Sequence, residues 1–387
     1  MPRLRLDAEL CEIAQDGARL LITAGGKQTI RKFISADHAK VQHDKLVGEK
    51  LAAGWQLTTE PAPLQADVEP REPTLEAAIL ADPYDTSAYA VYGDWYQTRH
   101  HPRGELIALQ LAEEDRDDDK VKAATRKHLA RYKAELLGEL ARFDLDDSSP
   151  FAWRFGFIHR LELDDAGFAA GLLRKLMSHP SGRVLVEARL RLHDARHLAE
   201  ALGQLGPNLR ELEIITIAQI VSLDGLASFE KLRKLSVKSY SPMPPSVLAV
   251  VPEIAPRLES FDLSLEPEDA PWRDLAPLFA RTDVTLRHLG VRAPALVDRA
   301  LVAIAEGPLA PQLESLDIAL TDPDDGMRAL LANIDRFAKL RTLALSFDRV
   351  VPKVIVALRP TKIRLVNVRA DPDDPGDPDD HYDEVVE

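Results

Sequence analysis

The 387-residue chain has very little cysteine and no long hydrophobic run. Its one cysteine, Cys11, excludes an internal disulfide and is typical of a reducing compartment. No stretch approaches the roughly 18 consecutive apolar residues of a membrane-spanning helix, and the opening residues carry no apolar signal core. We therefore expect a cytoplasmic location and no membrane partner.

Motifs that carry chemistry are also scarce. The chain has no Gly-x-Ser-x-Gly elbow, no phosphate-cradling glycine loop and no dinucleotide-binding fingerprint. His193 and His197 have the spacing of zinc-peptidase ligands, but Asp194 stands where the base should be and is expected to cap a helix. A calcium-loop register starting at Asp371 fails because Pro375 takes a ligand position. The sequence thus predicts no catalytic residues, no metal and no cofactor.

The excess negative charge is confined to two short segments. Of the formal net charge of −14, residues 371–387 supply nine acidic and no basic residues, and residues 113–119 supply six acidic residues against one arginine. These contributions, −9 and −5, account for the whole total, so the remaining body is neutral. The net charge therefore does not indicate a polyanion-binding surface, and we expect residues 370–387 to form an acidic disordered tail.

A spaced trio, apolar-x-x-apolar-x-apolar, recurs between Ile158 and Leu365 about every 20–29 residues. The complete copies are Ile158/Leu161/Leu163, Leu209/Leu212/Ile214, Leu232/Leu235/Val237, Leu258/Phe261/Leu263, Leu286/Leu289/Val291, Leu313/Leu316/Ile318 and Leu340/Leu343/Leu345. Two weaker copies keep only a final pair, Leu190/Leu192 and Ile363/Leu365. Each trio predicts a short strand whose apolar residues point inward.

From "WRFGFIHRLELD" onward this pattern resembles leucine-rich repeats. The resemblance implies an α/β solenoid over residues 151–369, with parallel strands joined by helical or irregular returns, and a role in binding another molecule. We expect helical returns over Arg196–Leu205, Ala295–Glu306 and Gly326–Phe337. The asparagine that such repeats carry after the trio is replaced, at positions that include Ile217 and Tyr240, so the loops must satisfy their backbone groups in another way.

The residues between the apolar positions should form an exposed, concave strand face. From the second row to the seventh their charge alternates in sign, which predicts lateral ion pairs between strands. The candidate protein-binding residues on this face are Arg189, Arg191, Glu211, Glu213, Lys234, Lys238, Asp262, Arg292, Asp317 and Arg364. Interleaved signs disfavour nucleic acid, and the rows lack aromatic anchors. A protein with a polar, charge-patterned surface is therefore the expected partner.

Residues 1–57 are expected to form a small α+β domain. Strands are predicted over Leu20–Thr23 and Thr29–Phe33, and a helix over about Ala36–Ala53, capped by Ser35 or Asp37. The apolar face of this helix is predicted at Val41, Leu46, Val47 and Leu51. The segments "AQDGARLLIT", "GGKQTIRKF" and "SADHAKVQHDKLVGEKLAAGW" resemble a WGR domain in which the Trp-Gly-Arg strand is missing.

Residues 58–73 form a predicted proline-rich linker, and residues 74–150 a predicted helical domain that caps the repeats. "TLEAAILADPYDTSAYAVYGDWYQTRHHPRGELIALQLA" closely resembles the bacterial repeat-companion domain, which implies only the company of repeats. Thr86 or Ser87 should cap its second helix, and a long helix should run over about Asp118–Phe143. Four aromatic residues fall mostly on one face of the second helix, where they either pack internally or form a partner-binding patch: Tyr89, Tyr92, Trp95 and Tyr96.

Three functions remain open from the sequence. The leading hypothesis is a non-enzymatic recognition or adaptor protein that binds another protein through its repeats. The WGR resemblance implies, as an alternative, a DNA-linked regulator using Lys40, Lys45 and Lys50. The third is a substrate or regulated partner of a protease, cut in the linker or the tail.

Overall fold

A computed structural model of the chain divides into two compact units, residues 1–69 and 70–387. The residues that it describes are 3–6, 9–16, 19–24, 27–32, 35–57, 69–116, 118–143, 149–164, 172–217, 219–220, 222–265, 272–319, 325–346, 358, 361–367 and 384–385. Within these ranges, no helix is both long enough and apolar enough to cross a bilayer.

The first unit is a five-stranded antiparallel sheet with one helix. The strands lie in the order β4-β3-β2-β1-β5. Their bounds are Arg3–Leu6 (β1), Glu9–Asp16 (β2), Arg19–Ala24 (β3), Lys27–Lys32 (β4) and Gln56–Leu57 (β5), with helix α1 at Ala36–Ala52. The sequence predicted β3, β4 and α1 and missed the other three strands. Cys11 lies in β2, paired with Leu4 and Ala24.

Helix α1 confirms the predicted cap but corrects the predicted apolar face. The Ser35 side chain accepts a hydrogen bond from the His38 backbone N–H. Leu46 and Val47 pack against the buried Ile13 and Trp55. Val41 and Leu51, however, are 63% and 41% exposed. A helix turns about 100° per residue, so the stripe centred on Leu46 and Val47 leaves Val41 on the opposite side.

Residues 73–142 form a helical segment. Its helices are Pro73–Ala81 (α2), Thr86–Gln97 (α3), Pro102–Arg116 (α4) and Asp119–Leu137 (α5), followed by a 3₁₀ turn at Gly138–Arg142. The cap of α3 is Asp85, which accepts from the Ser87 N–H, and not Thr86 or Ser87. Helix α2 begins at Pro73, one residue inside the predicted linker, most of which lies outside the described residues.

The repeats form one long, mostly parallel sheet whose strands follow each other in chain order, a solenoid-like α/β arrangement. The parallel strands are Phe157–Asp164 (β7), Glu187–Arg191 (β8), Glu211–Thr216 (β9), Lys234–Ser239 (β10), Ser260–Leu265 (β11), His288–Arg292 (β12), Ser315–Ala319 (β13), Thr342–Ser346 (β14) and Arg364–Asn367 (β15). Antiparallel strands border both ends, Phe151–Arg154 (β6) beside β7 and Glu384–Val385 (β16) beside β15. The prediction of a disordered tail over residues 370–387 is therefore wrong for Glu384–Val385, and the rest of that segment lies outside the described residues.

The returns carry helices on one side of this sheet. They are Leu172–Ser178 (α6), Ala195–Gln204 (α7), Val250–Ile254 (α8), Trp272–Ala280 (α9), Pro294–Glu306 (α10) and Asp325–Ala332 (α11). The three predicted helical returns correspond to α7, α10 and α11. One continuous apolar core runs between strands and helices, and the 3₁₀ turn after α5 joins it through Leu140. Burial of the trios' leucines thus supplies the main cohesion of the array.

Two strand registers differ from the prediction, both at the weak copies. The sequence aligned Leu190 with Leu212, whereas the structure pairs Leu190 with Ile214 and Ala188 with Leu212. At the far end, Leu365 pairs with Leu343, not with Leu345. Each strand is therefore displaced by two residues, which keeps every side chain on its predicted face because strand side chains alternate. The exposed row of β8 is Glu187, Arg189 and Arg191, and His193 falls beyond the strand.

Hydroxyl and guanidinium groups satisfy backbone atoms at the loops where the asparagine is missing. The buried Ser239 hydroxyl donates to the Ser241 carbonyl, and the Ser241 hydroxyl donates to the Ile217 carbonyl. On the return side, Arg257 donates to the Leu226 carbonyl at 3.0 Å. Side chains of neighbouring repeats thus make the backbone hydrogen bonds that the missing asparagine would otherwise supply.

Candidate partner-binding face

The strand side chains that point away from the helices form an open strand face. Along β9, β10 and β11 buried residues alternate with partly exposed ones, so the predicted inward and outward positions are confirmed. In the corrected register the outward rows still alternate in net charge from β8 to β13. The β8 row stays net positive, because Glu187 offsets only one of its two arginines. The charged residues of neighbouring strands consequently lie side by side.

Among the described residues, four lateral ion pairs join neighbouring strands of this face between β8 and β13. They are Arg189 Nε–Glu213 Oε2 at 2.7 Å, Lys234 Nζ–Glu211 Oε1 at 2.8 Å, His288 Nε2–Asp262 Oδ1 at 2.9 Å, and Arg292–Asp317. The predicted lateral pairing is confirmed, although Arg189 reaches Glu213 and not Glu211 as the predicted register implied. Eight charged groups of the face are therefore already compensated within the sheet.

A double-mutant cycle checks the corrected register. Replacing Arg189 and Glu213 by alanine, singly and together, should give a coupling energy of about 0.2–1 kcal/mol, the range for partly exposed pairs. The same cycle on Arg189 and Glu211 should give no coupling, because Glu211 is held by Lys234. Urea unfolding of the four variants of each cycle measures both energies. Coupling to Glu211 alone would restore the register read from the sequence.

Gly290 makes room for the histidine pair of the face. A Cβ atom at Gly290 would lie 2.1 Å from Asp262 Oδ1, the oxygen that contacts His288. The hydrogen bond that the His288 imidazole donates to Asp262, and the negative charge of this carboxylate, raise the pKa of His288 against the opposing effect of burial. A side chain at Gly290 would push the carboxylate away from the imidazole, so glycine here preserves the pair.

The titration of His288 follows from this contact. Its pKa should lie above the ordinary value of 6.5, because the charged imidazole is favoured by Asp262. The pair therefore stabilises the fold fully below the pKa of the unfolded chain, and this contribution is lost as pH rises through the folded pKa. NMR titration should show the His288 pKa falling in the Asp262→Asn variant. An unchanged pKa in that variant would contradict the pairing.

The helical segment covers the N-terminal ends of β7–β9. The Tyr84 hydroxyl donates to Glu211 Oε1 at 3.0 Å, and the Tyr84 ring meets His159 edge-on at 5.6 Å. His159 is buried and lies 3.1 Å from Glu187. Burial comes first among the causes that raise the pKa of Tyr84, followed by the nearby charge of Glu211. The helical segment thus covers this end of the open strand face.

The C-terminal ends of β8–β10 carry a different surface, the Ile215 patch, made of Arg191, Ile215, Ile217, Lys238 and Tyr240. Ile217 is 56% exposed, and Ile215 and Tyr240 are partly exposed. Arg191 and Lys238 form no ion pair with any residue in the described ranges. In this patch, cationic and apolar side chains are therefore exposed side by side. The sequence places Ile215 among the outward residues of β9, but the candidate binding residues were chosen for their charge, so Ile215 was not among them. Ile217 and Tyr240 lie just beyond β9 and β10, outside the predicted rows.

The aromatic residues proposed as a second binding patch are mostly buried. Tyr89, Tyr92 and Tyr96 have no exposed surface, and they pack with Phe155 and Phe157 from the β6–β7 hairpin. The partner-binding interpretation is therefore wrong for these three, and the packing alternative is correct. Burial raises the pKa of Tyr92 to about 12. Trp95 is partly buried, with the Arg99 guanidinium 3.8 Å from its ring centroid.

The arginine of "PRGELI" joins the helical segment to the repeats, and the glycine of that motif allows two helices of the segment to pack closely. Arg103 is fully buried, and it donates to the Gly156 carbonyl in the β6–β7 turn and to the Ser181 hydroxyl at 3.0 Å. A Cβ atom at Gly104 would lie 2.6 Å from the Gln97 backbone nitrogen, so only glycine allows α3 and α4 to approach this closely. This motif is structural, and it explains why the segment and the first strands share one unit.

The remaining candidate residues do not form a chemical site. Among the described residues, no cluster of His, Cys, Asp or Glu could hold a metal ion, and Asp194 caps α7 as predicted. The calcium-loop register lies outside the described residues. The lysines of α1 share the helix with Asp37, Asp44 and Glu49, so its surface carries both signs. Arg364 lies in β15, beside Thr342 of β14.

A cleft of about 510 Å³ on the helical side is lined by Trp272, Asp298, Arg299, Val302, Ala303 and Asp325. Asp298 Oδ1 there accepts a hydrogen bond from the Gly326 N–H at 3.1 Å. No family model matches this chain, and no curated protein is similar to it. The geometry of the open strand face is therefore the main guide to function.

Proposed function

We propose that this chain is a non-enzymatic, cytoplasmic recognition or adaptor protein whose leucine-rich repeats bind another protein through the open strand face. In this proposal residues 1–57 are a WGR-like domain and residues 74–150 a repeat-companion domain that caps the array. Residues 151–369 then form the recognition surface. The observation that carries the proposal is the Ile215 patch, an exposed apolar surface on a face where eight other charged groups pair laterally.

Physical reasons favour a protein over the other classes of partner. A nucleic acid needs a continuous basic surface, and the face alternates in sign along the array. Exposed isoleucine and tyrosine beside cations are typical of the centre of a protein interface, where apolar burial supplies affinity and charge supplies specificity. On the helical side, the cleft beside α10 also brings together an aromatic residue and a cation, Trp272 and Arg299, but its lining includes the carboxylates of Asp298 and Asp325.

A matched pair of variants tests this proposal. Ile217 and Val91 are 56% and 55% exposed, the first in the Ile215 patch and the second on α3. Affinity capture from the native cell with the full chain should recover a partner with the wild type and with Val91→Asp, and lose it with Ile217→Asp. Both substitutions lie on exposed positions and should leave the fold intact. Loss with Val91→Asp and retention with Ile217→Asp would move the interface to the helical segment and contradict the proposal.

A further inference from the structure

The register of β8, β9 and β10 places two cations on either side of an isoleucine. Arg191 pairs with Ile215, and Ile215 pairs with Lys238, so the three residues form one row across neighbouring strands. Parallel strands are about 4.8 Å apart, which separates the two cationic positions by about 10 Å. Ile215 therefore lies midway between two positive charges.

Neither cation forms an ion pair with a described carboxylate, although Asp164 of β7 lies beside Arg191 in the strand register. Arg191 is exposed, and the Lys238 ammonium lies 5.0 Å from the centroid of the Tyr240 ring. Covering these groups with a neutral or basic surface would remove their hydration without replacing it, which is unfavourable. Carboxylates on the partner would supply the missing charge and the hydrogen bonds of the guanidinium.

The apolar part of the patch is held in place by backbone contacts. The Tyr240 N–H donates to the Thr216 carbonyl at 3.0 Å, and the Ser241 hydroxyl donates to the Ile217 carbonyl. Ile217 and Tyr240 are thus fixed relative to each other at the ends of β9 and β10. A surface ordered before binding loses little conformational entropy when a partner covers it.

We propose that the Ile215 patch binds an acidic segment of a protein partner, with an apolar side chain seated between two carboxylates. The carboxylates should be about 10 Å apart and on one side of the segment, as are positions i and i+3 of a polyproline II segment or i and i+7 of a helix. One carboxylate contacts Arg191, the other contacts Lys238, and the apolar side chain covers Ile215 and Ile217. This inference rests on the proposed function and specifies the partner surface.

Photo-cross-linking with the full chain tests the location and chemistry of the contact. A photoreactive phenylalanine analogue replaces Ile217 in one variant and Ser236, farther from the patch on β10, in another. In the native cell, the probe at 217 should give a discrete cross-linked protein, and the cross-linked peptide should contain two acidic residues flanking an apolar one. A basic or uncharged peptide would overturn the proposal.

Charge reversal tests the two cations separately. With the purified partner, Arg191→Glu and Lys238→Glu should each raise Kd at least about tenfold at low salt, and added salt should weaken the wild-type complex. Arg273→Glu, at an exposed position of α9, is the matched control and should leave Kd unchanged. Circular dichroism establishes that all three variants fold. Unchanged affinity in both patch variants would overturn the acidic-segment proposal.

The outcomes separate this inference from the proposed function. Cross-linking from 236 but not from 217 would retain a protein-binding strand face and overturn the Ile215 patch as its centre. Cross-linking from neither position would contradict both. If the peptide captured at 217 is residues 371–387 of this chain, the acidic tail itself occupies the patch and the inference of an external partner fails.

Discussion

Replacing Arg103 by alanine should destabilise the full-length protein by about 3 kcal/mol or more, one of the largest effects of any single change. The substitution leaves the Gly156 carbonyl buried without its donor and removes the contact to the Ser181 hydroxyl. It also removes the guanidinium that lies 4.7 Å from the centroid of the Phe157 ring. Each of these losses falls where the helical segment meets the first strands, so the two should separate before the array unfolds.

Urea unfolding followed by circular dichroism measures this loss. Arg103→Met retains much of the aliphatic packing and should cost less than Arg103→Ala, because only the polar contacts disappear. Arg126→Ala is the control, since Arg126 is exposed on α5 and the change should stay within about 0.5 kcal/mol. If Arg103→Ala leaves the free energy of unfolding unchanged, the helical segment is held to the repeats by its apolar contacts alone.

Replacing Gly156 by valine should have a comparable effect for a different reason. Gly156 has φ of +80°, a conformation that L side chains rarely adopt, and a Cβ atom there would lie 2.6 Å from Ile107 Cγ1. Since Ile107 and Arg103 are both buried, the neighbours cannot move aside without opening the core. We expect a loss of about 3 kcal/mol or more in the free energy of unfolding.

A second glycine provides a control with the opposite sign. Gly203 lies in α7, and a Cβ atom there would meet no neighbouring atom within 4 Å, so Gly203→Ala should stabilise the protein by about 0.4–1 kcal/mol. Thermal unfolding of the two variants compares them directly. Equal effects at Gly156 and Gly203 would mean that the β6–β7 turn is not constrained by α4.

The strands with complete trios could be placed from the sequence, because a buried Leu at each inward position makes the alternation readable. The two weak copies could not be placed to the residue. Ala188 fills an inward position of β8 but is too small to mark it, while Leu192 is buried just after the strand and imitates the missing residue. An alternation with a period of two cannot distinguish such a displacement of two residues.

The candidate site was only partly readable from the sequence. Alternating signs predicted lateral pairing, and the pairs of Glu211 and Asp262 follow from neighbouring rows. Burial of Tyr92 depends on the β6–β7 hairpin, whose contact with α3 is a tertiary feature with no local signal. The exposure of the Ile215 patch likewise depends on which charged residues form ion pairs, and that depends on which residues the strand register makes neighbours.

The footprint of the bound partner tests the central claim most directly. Hydrogen–deuterium exchange of the full chain, free and in complex with the captured partner, reports which backbone amides become protected. Binding through the open strand face predicts slower exchange in peptides covering residues 211–217 and 234–241, with no change in α9–α11. Protection confined to α9–α11, or to the first unit, would contradict it.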